Sequence, residues 1–359
     1  MARAGILSGI MSVVLVLLLI AASGCQRDDM EPATAEPQAP AITAVADGNV
    51  PQEKTERAVR EEVPDANAPV ELALTFSPGE VATYKVTTEG YKSVEWRGPV
   101  VGRPAGFVDG RSGTHVEISF EQRVREVRAD GGAVLAITIK GLKYTGEHRN
   151  KVVLDFDHGR PEDSANPLAA LIGKGYTLIF SPGGEMLAVE DVEAARGAVP
   201  AGPGQATALR LLSEEQIRRR HEIPPLMALK EGSASSGQTW SDIRTFSFGD
   251  MGLKAYERIY TFRPVADGPA VVEMKAILSS SAAQEMHKQQ TASPMSGMFD
   301  NVDDYAGRLE LDLDRGQVRM YDEQMQIEWV IVDPATAQES RPVALTMGAT
   351  RLHRLEQVQ

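Results

Sequence analysis

From Glu71 to the end of this 359-residue chain, apolar and polar residues alternate with a period of two. Val116, Ile118, Phe120 and Val124 share one parity, and Glu117, Ser119 and Glu121 share the other. Leu135, Ile137 and Ile139 repeat the pattern, as do Ala270, Val272, Met274, Ala276 and Leu278. Leu309, Leu311 and Leu313 alternate with Glu310, Asp312 and Asp314, and Met325, Ile327, Trp329 and Ile331 form a further set. Side chains on a strand point alternately to opposite faces, so one-sided alternation predicts antiparallel strands with one wet face. The joining segments are short and carry glycine: Ala129-Asp130-Gly131, Ser181-Pro182-Gly183-Gly184, Ala266-Asp267-Gly268 and Asp314-Arg315-Gly316. Glycine supplies the positive φ that hairpin turns require.

Helical pattern is confined to the middle of the chain. Residues 166–172 predict a short turn with Pro167 at a first helical position, and 281–290 a further short helix. Residues 205–220 predict the longest helix, with Ala206, Leu209, Leu212 and Ile217 on one stripe and Pro224-Pro225 beyond its end. The strand segments also repeat. Asp130 aligns with Asp267, Gly184 with Gly316, and Gly79 before Tyr84 with Gly237 before Trp240. The expected fold is therefore mainly β, a β-rich α+β arrangement. Two similar antiparallel β-halves, about 70–200 and 230–359, form a curved sheet or half-barrel with a few short helices between them.

The N-terminus carries a different signal. Arg3 precedes an apolar run over 6–20, then Ala21-Ala22-Ser23-Gly24-Cys25. That order is a secretory signal and not a spanning helix. It resembles the processing site of a bacterial lipoprotein, which implies cleavage after Gly24 and acylation of the Cys25 sulfur. Residues 1–24 then form a signal peptide and 70–359 the globular domain. Residues 25–69, rich in Pro, Ala and Glu and without aromatics, read as a disordered tether, because such a composition buries too little apolar surface to offset its ordering entropy. A helical turn is expected only at 55–62. Acyl chains hold a protein stably at a membrane when more than one is present. Gln26 after the cysteine, where an Asp would favour inner-membrane retention, points to the outer membrane, facing the periplasm.

Cys25 is the only cysteine, so packing and not an internal disulfide must hold the domain. A formal charge of −13 argues against nucleic-acid binding. The search for chemistry returns near-misses. His221-Glu222 opens like a zinc-protease helix, but Pro225 stands where the second histidine belongs, so His221 reads as a solvated helix end. Gly202-Pro203-Gly204 reads as a loop, and Asp300, Asp303 and Asp304 as an exposed acidic loop outside Ca²⁺-loop spacing. Met286, His287, Met295 and Met298 could suit cuprous copper but read as packing. Trp96, Trp240 and Trp329 read as core anchors. The Gly/Pro-rich stretch 97–114, with Phe107 and Val108 near its tip, is either a contact loop or self-packed. No cofactor or metal is expected.

Gly79-Glu80 before Tyr84, the Ala-Asp-Gly hairpin, a mid-chain helix ending in proline, and Gly237 before Trp240 together resemble an uncharacterised family of bacterial envelope lipoproteins. The layout is also similar to the half-barrels of periplasmic lipoprotein carriers. The family has no assigned activity to carry over, and the carrier likeness is one of fold alone; the lipid anchor, the tether, the β-rich body and the empty motif search point to a non-catalytic binding or structural role, with an apolar ligand or an envelope protein as partner. A ligand carrier should show an apolar cavity of at least roughly 300 Å³. The alternative is a carboxylate-dependent envelope hydrolase, which needs two acidic groups close together in a cleft, one with a raised pKa.

Overall fold

A twelve-stranded antiparallel sheet forms because the alternating segments pair with their neighbours in the chain, and it stays open. The computed structural model describes residues 68–99, 103, 108–181, 183–265, 268–279 and 299–358. Gly24, Cys25, the signal and nearly all of the tether, residues 55–62, Phe107, 281–290 and the Met286, His287, Met295 and Met298 set lie outside the described residues.

The first meander contains β2 (Val81–Arg97), β3 (Gly110–Val127), β4 (Ala133–His148), β6 (Gly175–Phe180) and β7 (Met186–Glu190). The short β5 (Lys151–Asp157) pairs with the far end of β4 through a two-residue turn, Arg149-Asn150, both at positive φ. The second meander contains β9 (Thr239–Ser247), β10 (Leu253–Arg263), β11 (Ala270–Leu278), β12 (Asp300–Asp312) and β13 (Gln317–Val332). The last strand, β14 (Ala344–Val358), lies between the meanders, pairing with β13 and β2. Across the sheet the order is β7-β6-β4-β3-β2-β14-β13-β12-β11-β10-β9. Both meanders run in the same sense. A separate two-stranded piece joins β1 (Val70–Glu71) to β8 (Ser233–Ala234).

The predicted parity holds where it matters. Ile118, Phe120, Val124, Leu135, Ile137 and Ile139 are all buried. A bulge makes Lys140 the extra residue on β4, so Ile139 and Leu142 both face inward. Leu278 and Leu313 depart from expectation and are exposed: Leu278 is the last residue of β11, and Leu313 lies beyond the end of β12, which stops at Asp312.

The same four-residue turn opens both meanders. Gly79 N donates to Val124 O at 2.9 Å, and Val124 N donates to Glu80 O at 2.9 Å. In the second meander Gly237 N donates to Phe262 O, and Phe262 N to Gln238 O, each at 3.0 Å. Ser77 N donates to the Glu80 side chain and Ser235 N to the Gln238 side chain. Gly79 and Gly237 sit at φ 82° and 75°, which other residues resist.

Four short α-helices follow β7. They are α1 (Val192–Gly197), α2 (Gln205–Leu211), α3 (Glu214–His221) and α4 (Pro224–Ala228). The expected single helix over 205–220 is two helices. Ser213 interrupts it by capping α3, its hydroxyl accepting from Gln216 N at 3.3 Å. Pro224-Pro225 opens α4, since proline fits the first helical turn, where no N–H partner is needed. The expected turn near 166–172 is a 3-10 segment, Pro167–Leu171, capped by the Asn166 side chain.

The sheet is strongly bent. Arg244 on β9 lies 3.8 Å from Glu323 on β13, although four strand spacings, roughly 19 Å on a flat sheet, separate them. Arg351 on β14 stacks over the Phe246 ring on β9 at 4.9 Å. The helices span the two outer edges at one end. Arg218 of α3 donates to Met186 O on β7 at 2.6 Å, and Trp240 on β9 donates to Pro225 O of α4 at 2.9 Å.

Candidate functional site

Two places on the inner face combine polar chemistry with burial. The first is a belt across the second meander. Its strands alternate as expected, but several residues on the inward parity are charged: Asp242 and Arg244 between Trp240 and Phe246, Arg258 between Tyr256 and Tyr260, Glu323 between Tyr321 and Met325. Arg258, only 5% exposed, grips Asp242 through two N–H groups, and its Nη1 lies 3.6 Å from Glu323 Oε2. Gly307 pairs with Glu323 in the register, so no side chain stands between Glu323 and β11 there. Glu323 accepts from the hydroxyls of Tyr305 and Tyr321, and Tyr260 donates to Asp242 at 3.2 Å. Beyond them Asp303 accepts from Lys254 at 2.8 Å and from Tyr256 at 3.0 Å.

Electrostatics fix the protonation of this belt. Burial pushes the Glu323 carboxyl up, but Arg244, Arg258 and the two phenols pull harder, so it sits below its ordinary value and stays ionised. Burial first, then the Glu323 charge, raises Tyr305 and Tyr321, which therefore remain donors. Burial opposes the charge on Arg258, and Asp242, Tyr260, Tyr305 and Glu323 together outweigh it. Each inward carboxylate, Asp242, Asp303 and Glu323, is held by a cation and at least one phenol. Glu323, held ionised, accepts hydrogen bonds well and has no proton to give.

The second place is a cavity where the helices meet the first meander. The segment Leu72–Phe76 crosses above it as a strap. Leu72 N donates to Gly232 O at 2.8 Å, Thr75 N to Gly316 O at 3.0 Å, and the next backbone anchor is Gly79. Leu74, Phe76, Phe120, Leu135, Phe180 and Leu355 supply the apolar lining, while Glu80, Gln122, Gln317 and His221 supply the polar groups. Its volume is about 50 Å³, room for one or two waters. The cavity falls short of the roughly 300 Å³ expected of a ligand carrier, because Leu74 and Phe76 of the strap and His221 of α3 crowd the space between them.

His221 is not the solvated helix end that the sequence suggested. It is 6% exposed, edge-on to the Phe120 ring, with Nε2 2.8 Å from the Tyr176 hydroxyl. Arg220 Nη1 donates to that same hydroxyl at 2.8 Å. A guanidinium only donates, so the arrangement that leaves the buried tyrosine proton paired gives it to His221 Nε2, with the imidazole proton on Nδ1. Burial, then Arg220 and His353, holds the His221 pKa well below its usual value, so the ring is neutral.

The other candidates disperse. Asp300, Asp303 and Asp304 lie on β12 and not in a loop, because the alternation that continues to Leu311 already runs through them; only Asp303 among them is ion-paired inward, to Lys254. Among the described residues no group of three or more His, Cys, Asp or Glu has metal-ligand geometry. Gly204 is the N-cap of α2 in the left-handed region, as a loop residue. Trp329 is buried and Trp240 is half-buried, anchored to α4. In the stretch after β2, Asp109 accepts from Trp96 N and Arg103, and Val108 is exposed.

No protein-family model and no curated protein matches the chain. Among solved structures it is similar to lipovitellin, in a structure described by its lipid–protein interactions, at 11% identity and a TM-score of 0.38. That match covers 79% of this chain and 25% of lipovitellin, so the chain spans about a quarter of that protein's length. It is also similar to DynF of the dynemicin biosynthesis pathway of Micromonospora chersina, at 9% identity and a TM-score of 0.17, over 85% of this chain and 94% of that one. A DUF1329 family protein from Desulfovibrio piger matches at 9% identity and a TM-score of 0.12, over 76% and 85%. Scores this low do not define a shared fold.

Proposed function

We propose that this chain is a lipid-anchored protein of the cell envelope, cleaved after Gly24 and acylated on Cys25. In this reading it is tethered to the outer membrane, faces the periplasm and has a non-catalytic role. Its bent sheet, two copies of one five-strand unit with β14 between them, takes an apolar ligand beneath the strap. The observation that carries the binding role is the strap itself. It roofs an apolar trough, yet between Leu72 and Gly79 it is fastened to the rest of the backbone by the Thr75–Gly316 hydrogen bond. A cavity of about 50 Å³ cannot hold an acyl chain, so binding requires the strap to lift. The hydrolase alternative has less support: Asp242, Asp303 and Glu323 are each tied to a cation, and Asp322, whose carboxyl burial raises, stands opposite Arg308 and Arg354.

Two experiments test the reading. Radiolabelled fatty acid should incorporate into the wild type and not into Cys25→Ser; equal absence from both removes the anchor. Native mass spectrometry of the Cys25→Ser chain should show apolar adducts that organic extraction strips and added lipid restores. If no adduct forms on the extracted protein with any added lipid, binding beneath the strap is refuted.

A further inference from the structure

Resting on the apolar-ligand reading, we infer that the cavity's ligand is an amphiphile with an uncharged, acceptor-bearing head, such as a long-chain acyl ester, and not a free fatty acid. Among the described lining residues Glu80 is the one that carries a formal charge at neutral pH. The carboxylate is held at the mouth, accepting from Gln317 Nε2 and from Ser77 N. Its field reaches inward: after burial, the Glu80 charge is the second cause that pushes the Tyr84 phenol up. A second carboxylate entering here would meet a like charge next to apolar walls, where repulsion is poorly screened.

The polar groups deeper in the lining are neutral. The Tyr176 bond holds His221 as the Nδ1–H tautomer, and Arg220 beside it discourages a second proton. The guanidinium of Arg220 is occupied by the Tyr176 hydroxyl and by Leu211 O at 2.9 Å. A neutral N–H and the Gln122 amide suit an ester carbonyl, which needs one donor and brings no charge to bury.

The test uses the full chain carrying Cys25→Ser, so that anchored acyl groups do not compete. Equilibrium dialysis at pH 8 compares radiolabelled methyl oleate with oleate, which share a tail and differ in head charge. Methyl oleate should bind at least roughly tenfold more tightly. Glu80→Gln, which removes the charge at nearly constant size, should narrow the preference for methyl oleate over oleate several-fold. Oleate binding as tightly as methyl oleate to the wild-type lining overturns the head-group assignment but leaves the apolar-ligand reading standing. Glu80→Gln leaving the ratio unchanged also overturns it. If neither compound binds, the apolar-ligand reading itself fails. The wild-type ratio decides the matter even if the variant does not fold.

Discussion

The two meanders start from the same turn and run in the same sense, yet they fill their inner faces differently. In the first, Tyr84 stacks on Phe120 at 5.7 Å and the α-helices cover the apolar row, with His221 against the Phe120 ring. In the second, Arg258, Asp242 and Glu323 cross the hollow to one another. The first face buries apolar surface against a helix, which is non-directional and tolerant. The second bends until long side chains from distant strands meet, which demands charge balance and exact reach. One scaffold therefore supports two kinds of interior, and what covers the face decides which kind forms.

Equal losses from different causes give the largest test. Phe120→Ala should lower the unfolding free energy by about 3–5 kcal/mol through lost burial and a cavity. Glu323→Leu should cost about as much because it leaves Arg258 and Arg244 without their shared carboxylate. Urea unfolding measures both. The contrast sharpens in the triple variant Arg258→Met, Asp242→Leu, Glu323→Leu. If the belt only fills space, that variant regains most of the loss; if it stays as unstable as Glu323→Leu alone, the ion pairs do more than fill.

Acid should act next. Burial, with Arg244 and Arg220, holds the folded His353 down to about 4, against an unfolded value near 6.5. Between those values the unfolded chain binds more protons. Stability should therefore fall as pH drops from 7 to 5, by about 2 kcal/mol from His353, with His221 adding in the same direction. The lowered pKa of Glu323 acts only below about 4.5 and leaves this window alone. A flat melting temperature from pH 7 to 5 would contradict the neutral burial of both histidines.

Turn glycines give a smaller, paired comparison. Gly184 and Gly316 occupy corresponding turns at φ 77° and 57°. Alanine at Gly184 meets only ordinary contacts with Leu74 and Leu226 and should cost about 1 kcal/mol of left-handed strain. Alanine at Gly316 also collides with the backbone nitrogen of Thr75 and should cost more, about 1–2 kcal/mol, while speeding hydrogen exchange of strap amides. Equal exchange in the two variants would show that the strap is not fastened at Gly316. Smallest of all, Arg263→Ala removes an exposed pair with Glu273 at 3.3 Å and should shift stability by less than about 0.5 kcal/mol.

Much of this architecture could be read along the chain. The inward parity of Val116 to Val124 and of Leu135 to Ile139, the glycine turns and the parallel layout of Gly79 and Gly237 are local facts, set by side-chain alternation and by backbone sterics. The belt shows in the sequence only as charged residues on an inward parity, whose partners are set by the bend of the sheet. Arg258 between two tyrosines and Glu323 between Tyr321 and Met325 carried that signal. The structure differs from expectation at His221 for a related reason: a histidine at a helix end gives no hint of the Phe120 and Tyr176 rings that enclose it.

Alternation and turn chemistry alone determined that most of the described residues between Val70 and Val358 form antiparallel strands with one buried face, because a period of two has few other physical solutions. Only the tertiary structure decided how far the sheet bends, which charges meet across it, and that a strap closes the trough. Those outcomes depend on groups tens or hundreds of residues apart. Period says which way a side chain points, and only the completed curvature says what it finds there.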